Sequence, residues 1–172
     1  ATTESAGVNM PPLPLTPVWL PPERIASKED AFLRDVKAHK IAAARQLLEE
    51  AQSAGSKVAI VTYHRDVAQE LAKLAGVPAI TGELPIDKRM AIIDRLAADP
   101  TAPIVATMAS IQEGLNNLVA WHDVILAETY YRPASVIQVL RRFHRLTSQS
   151  MVTVRVPILQ GTYDEEILAT LT

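Results

Sequence analysis

Short β-branched apolar runs alternate with segments whose apolar residues recur every three or four positions. That alternation restricts the fold more than any other feature of the chain. KVAIVTY (57–63), VPAIT (77–81), PIVATM (103–108), DVILAE (123–128) and MVTVRVPIL (151–159) are too short for amphipathic helices and too continuously apolar for half-exposed strands. Each is expected to be a buried strand. Helical spacing predicts helices over 36–54 and 65–75, from Pro85 to about Ala98, from Pro133 onward, and over 163–171. Ser110-x-x-Glu113 and Thr162-x-x-Glu165 have the form of capping boxes, and Gly55 and Gly76 stand where the first two helices should stop. Strands that take turns with helices imply a mainly parallel α/β sheet of at least five strands, covered by helices on both faces as a three-layer domain.

The first 24 residues break this pattern. MPPLPLTPVWLPPER (10–24) holds six prolines in fifteen residues, which predicts an irregular Pro-rich arm or linker over 1–24 ahead of a domain at 25–172. Val18, Trp19 and Leu20 could anchor that arm. The first residue is Ala, and the chain is expected to be a piece of something longer.

Composition removes several chemistries. The chain has no cysteine, which excludes disulfides, thiolate catalysis and Cys-based zinc sites. Its four histidines (39, 64, 122, 144) form no His-x-x-x-His pair, so no metal site is expected. No apolar run reaches membrane-spanning length and no signal peptide is visible. The expectation is an intracellular protein with no membrane partner, cytoplasmic and nuclear being indistinguishable.

In parallel sheets, ligands meet the C-terminal ends of the strands. The segments to watch are therefore His64-Arg65, Thr81-Gly82-Glu83, Met108 to Asn117 and Thr129 to Arg132. None is a phosphate loop: G-x-x-x-x-G-K-[ST] and G-x-G-x-x-G are both absent, and the chain has only six glycines. Either the domain binds no nucleotide, or it completes a site held mainly elsewhere.

Charge points to the second option. The net charge is −2, yet Arg132 to Arg155 holds five arginines and no acidic residue, while all six lysines lie at or before Lys88. Two of those, Lys37 and Lys40 on the first helix, are expected at the surface. QVLRRFHR (138–145) carries the densest part of the arginine run. On a helical wheel Val136, Leu140 and Phe143 form an apolar stripe, and Gln138, Arg142 and Arg145 form a row roughly opposite. Two guanidinium groups one turn apart suit an anion with several oxygens, since arginine offers a bidentate fork and keeps its charge. This is the chemistry of arginine fingers supplied to a γ-phosphate. A solvated helix face is the simpler alternative.

These residues resemble a known family. Gln138, Arg142, His144 and Arg145 form Q-x-x-x-R-x-H-R, similar to the last motif of Swi/Snf-type superfamily-two helicases. LAETYYRP (126–133) is similar to the strand and turn before that motif, in the manner of the annealing-helicase branch. VATMASIQEGLNNL (105–118) resembles the preceding Ser/Thr-rich turn, KVAIVTYHRDVAQEL (57–71) the first strand of the second motor lobe, and ITGELPIDKRMAIIDRL (80–96) the Gly-containing turn before its helix. GTYDEEIL (161–168) and VWLPPER (18–24) resemble the closing helix and the entry brace. The chain departs from the usual His-Arg-Ile-Gly-Gln at Leu146-Thr147-Ser148-Gln149, and from Gly-Gly at Gln112-Glu113-Gly114.

The resemblance implies a RecA-like C-terminal lobe of an ATP-dependent DNA translocase or helicase. Its partners would be an N-terminal RecA-like lobe of the same parent and the backbone of double-stranded or branched DNA. ATP with Mg2+ would be held mainly by that other lobe. By this resemblance Gln138, Arg142 and Arg145 are catalytic, and with Gly114 and Asn117 they approach the nucleotide. Thr62, His64, Arg65, Thr81, Gly82, Thr107 and Ser110 match DNA-backbone positions, where hydroxyls and N–H groups hold phosphate without reading sequence. The fragment alone is not expected to hydrolyse ATP. A degenerate, non-catalytic RecA-like module for protein or DNA docking is the alternative, and an unrelated nucleotide- or sugar-phosphate-binding α/β domain is a third reading.

Overall fold

The computed structural model describes residues 15–20, 29–112, 115, 117–128, 132–143, 152–159 and 163–171. The elements are β1 (Leu15–Leu20), α1 (Glu29–Ser53), β2 (Val58–Thr62), α2 (Arg65–Ala75), β3 (Ala79–Ile80), α3 (Ile86–Ala98), β4 (Ile104–Thr107), α4 (Met108–Gln112), β5 (Asp123–Leu126), α5 (Pro133–Arg141), β6 (Thr153–Leu159) and α6 (Tyr163–Leu171). A 3-10 turn at Leu118–Ala120 precedes β5.

The six strands form one sheet in the order β1-β6-β5-β2-β4-β3, and every pairing is parallel. The pleat sorts the core into two layers. Val58, Ile60, Val105 and Ile125 point to one face, where Ala44, Leu47 and Leu48 of α1 and Val67 and Leu71 of α2 cover them. Ala59, Val61, Ile104, Val124, Leu126, Val154 and Val156 point to the other, under Ile93 of α3, Ile111 of α4, Leu140 of α5 and Leu168 of α6. The continuous β-branched runs follow from this: a strand covered on both sides has no polar face to present.

Two glycines end helices as expected. Gly55 (φ 76°) and Gly76 (φ 74°) are left-handed, a region costly for other residues. Behind them the N–H groups of Ser56 and Val77 donate back to the carbonyls of Ala51 and Ala72, 2.9 and 3.0 Å away, closing both helices in Schellman geometry.

The structure differs from expectation in four places. First, Leu15–Leu20, inside the stretch expected to be irregular, is a sixth strand paired along its length with β6. An edge strand tolerates Pro17 because half of its N–H groups point away from the sheet. Second, α1 begins at Glu29, seven residues before the expected start; four of those seven residues are charged (Glu29, Asp30, Arg34 and Asp35). Third, α4 starts directly after β4, so Ser110 is within the helix. Thr107 takes the capping role, its Oγ1 accepting from the Ser110 N–H at 3.4 Å.

Fourth, Lys40, expected on the surface, is 2% exposed. It lies on the covered side of α1. Its ammonium donates to Pro157 O at 2.8 Å and forms an ion pair with Asp164 of α6. Asp164 also accepts from the Leu159 N–H at 3.0 Å. Burial lowers the Lys40 pKa, and the Asp164 carboxylate opposes that shift.

At the opposite end of the sheet, Lys57 places its ammonium on the closing carbonyls of α3, 2.7 Å from Leu96 O, and over the Trp121 ring at 4.9 Å. Trp121 is fully buried, with Nε1 donating to Ala102 O at 3.0 Å.

Candidate functional site

The C-terminal ends of β2, β3 and β4 lie side by side at one rim of the sheet. From β2, Thr62 is fully buried and its Oγ1 lies 3.3 Å from His64 O. Thr81, Thr107 and Ser110 are also buried. Ser110 Oγ lies 2.7 Å from Thr107 O and 3.2 Å from Ile80 O, two acceptors for its single proton. This bond set ties α4 to the ends of β3 and β4. The four residues whose hydroxyls were expected at the DNA backbone are thus buried in the rim, and the hydroxyls of Thr62, Thr107 and Ser110 bond within it.

Arg65, Gly82 and Glu83 are exposed at the same rim, and His64 is half-buried there. The Arg65 guanidinium pairs with the Glu83 carboxylate, joining the loop after β2 to the loop after β3. Arg89 of α3, 4% exposed, supports the second loop from beneath. Its Nε donates to Leu84 O and a terminal nitrogen to Gly82 O, both at 2.7 Å. A guanidinium suits this task because its forked donors span two carbonyls at once.

Glu128, just past β5, is 7% exposed. Its Oε1 accepts from the Tyr63 and His64 N–H groups at 3.0 and 2.9 Å, and Oε2 is 2.6 Å from His64 Nδ1. Reasoning from sequence passed over this residue. Its one signal in the sequence is an acid directly after the apolar run VILA (124–127), at the end of the strand where ligands bind.

The second surface is the outer side of α5. Val136, Val139, Leu140 and Phe143 are each at most 1% exposed and seat the helix on the core. Gln138, Arg141 and Arg142 are exposed, and with Gln112 of α4 they line one shallow cleft. Among the described residues none of the three side chains, on α5 and its C-terminal cap Arg142, has a hydrogen-bond or ion-pair partner. The wheel therefore placed Gln138 and Arg142 on the outer side, and the structure adds Arg141 and Gln112 to the same cleft. A larger groove of ≈ 850 Å³ lies between α1 and α2, away from this cleft.

Asn117, expected near nucleotide, is left-handed (φ 68°), a conformation asparagine tolerates better than most residues. Its amide donates to Asp94 of α3 at 2.8 Å. Gly114 and Arg145 lie outside the described residues. So do Glu113, His144 and the segment 129–131.

Among the described residues no helix is long and apolar enough to cross a membrane. No group of three or more His, Cys, Asp or Glu residues there could hold a metal ion.

Comparison with known proteins fits this geometry. No curated protein matches by sequence. Among solved structures, the crystal structure of the C-terminal part of the Fun30 ATPase domain superposes with a TM-score of 0.64 at 20% identity. That match covers 77% of this chain and 45% of the Fun30 chain in that structure, so the present chain spans under half of that chain's length. At this identity the match establishes a shared fold, a RecA-like three-layer domain. The helicase conserved C-terminal domain family matches residues 39–147, from the middle of α1 through the arginine-rich segment. The chain belongs to the helicase conserved C-terminal domain family.

Proposed function

We propose that this chain is the C-terminal motor lobe of an ATP-dependent DNA translocase or helicase of the Swi/Snf type, in the manner of the annealing-helicase branch. One observation carries the reading. A helix held rigidly by a buried stripe presents Gln138, Arg141 and Arg142 without partners among the described residues, in a domain that has no phosphate loop of its own.

That donor set fits the polyphosphate of ATP, being cationic, forked and amide-bearing. It does not fit Mg2+, which requires oxygen ligands. ATP and its metal would thus be held by an N-terminal lobe, and this chain would approach the γ-phosphate from outside. Arg142 and Arg145 would stabilise charge developing in the transition state, and Gln138 would orient them or the attacking water. ATP supplies the phosphoryl group and the energy of its transfer.

The rim would meet the DNA backbone. Arg65 and His64 supply charge and side-chain donors, while the buried Thr62, Thr81, Thr107 and Ser110 hold loop N–H groups, Gly82 included, in place for phosphate oxygens. Such contacts carry no sequence information and give salt-dependent binding.

A docking module without catalysis is the second reading, favoured by Asn117, whose amide is occupied by Asp94. DNA-stimulated ATP hydrolysis by the two-lobe parent separates the two. The motor reading expects Arg145→Ala to abolish stimulated hydrolysis, by roughly 10³-fold or more, while DNA binding persists. Wild-type turnover in that variant sinks the assignment.

A further inference from the structure

We propose that Glu128 is a positioning residue that makes His64 a proton-linked phosphate contact: the imidazole gives Nδ1–H to Glu128 and Nε2–H to an oxygen of the DNA backbone. The inference rests on the DNA-facing reading of the rim and goes one step past it.

Glu128 is buried and uses both oxygens, one on the backbone N–H groups of Tyr63 and His64 and one on His64 Nδ1 at 2.6 Å. A carboxylate can only accept, so Nδ1 must carry the hydrogen. That settles the tautomer through the partner of the other nitrogen. The His64 side chain is 33% exposed at the rim, and Nε2, on the edge away from Nδ1, is the ring atom left for a ligand. The Tyr63 ring meets the imidazole edge-on at 4.9 Å and limits its rotation.

A phosphodiester also offers only acceptors. If Nε2 is to bond it, Nε2 must be protonated while Nδ1 stays protonated toward Glu128. The ring is then an imidazolium between two anions, and binding takes up one proton from solvent at this position. The neutral ring would set a lone pair against a phosphate oxygen.

The surrounding charges leave this role to His64. Asp66, at the start of α2, is engaged by Lys37 of α1 at 2.9 Å. Arg65 is paired with Glu83. Lys40 reaches toward Glu128 from the α1 side, but its ammonium is bonded to Asp164 and Pro157 O.

Two measurements test this on the chain itself. Long-range nitrogen NMR should find the neutral His64 ring protonated at Nδ1 in the wild type, and that preference lost in Glu128→Gln. The carboxamide oxygen of that variant can still accept from both backbone N–H groups, so the loop survives the change. Binding of a fluorescent DNA duplex at low salt should be roughly tenfold tighter at about pH 6 than at about pH 8. His64→Gln should remove that ratio. Arg65→Ala should weaken binding at both pH values and leave the ratio intact. An Nε2–H tautomer in the free protein, or a ratio that persists in His64→Gln, overturns the proposal while the DNA-facing reading stands. No duplex binding by the wild type, or no loss in Arg65→Ala, means the DNA-facing reading itself has failed.

Discussion

The rim of the sheet and the outer side of α5 are built on opposite principles. At the rim nearly every polar group already has a partner. Ser110 bonds two strand ends, Arg89 holds the loop after β3, Glu128 holds the loop after β2, and Arg65 meets Glu83. On α5, Gln138, Arg141 and Arg142 have no partner among the described residues, and the apolar stripe beneath them carries the packing. A surface wired to itself has its shape before a ligand arrives. A surface of open guanidinium groups has charge without a counterion, which suits a site completed by another lobe. The contrast teaches where mutations should separate stability from function.

The sharpest separation comes from Arg142→Ala. In the two-lobe parent it should cost roughly 10³-fold or more in stimulated ATP hydrolysis. The melting temperature of this chain should barely move, since the side chain is exposed and unpaired among the described residues. A large drop in melting temperature would show that α5 is wired like the rim, and would break the comparison.

Lys40→Ala tests the wired half. It removes the buried ammonium that bonds Asp164 and Pro157 O, and should destabilise by about 3–5 kcal/mol in urea unfolding. An unchanged midpoint would mean that the buried pair contributes nothing to the joint between α1, β6 and α6.

Arg89→Met keeps much of the volume but frees the carbonyls of Gly82 and Leu84. The expected loss is about 1–3 kcal/mol, with faster amide exchange confined to the loop at 81–85. Exchange spread over the whole domain would show that Arg89 supports the core instead of the rim.

The smallest effect concerns Lys37 and Asp66. The Lys37 hydrogen bond is the largest cause of the lowered Asp66 pKa. A carboxyl whose folded pKa is depressed gives stability that is present above its ordinary value near 3.8 and lost as pH falls through the folded value. Because Asp66 is largely exposed, the contribution should stay below about 1 kcal/mol. Acid unfolding of Lys37→Met should show a correspondingly shallower loss below about pH 4. An identical acid limb in both proteins removes the pair from the account.

Much of this protein follows from its sequence. Continuous β-branched runs can only be strands covered on both faces, so the parallel three-layer sheet was legible. So was the buried stripe of α5 with Gln138 and Arg142 exposed outside it, because a helical wheel needs only 100° per residue. Gly55 and Gly76 marked their helix ends because a left-handed residue favours glycine. Tertiary structure decided the rest, where a role depends on what lies across space. Lys40 looks like any helix lysine until Pro157 and Asp164, more than a hundred residues away, close over it. Glu128 looks like the end of a strand until the neighbouring strand delivers His64 to its carboxylate. Leu15–Leu20 looks irregular until β6 supplies a hydrogen-bonding edge. Periodicity records which face a residue occupies; only the packed fold brings distant polar groups within hydrogen-bond reach, and burial then makes each such pairing obligatory.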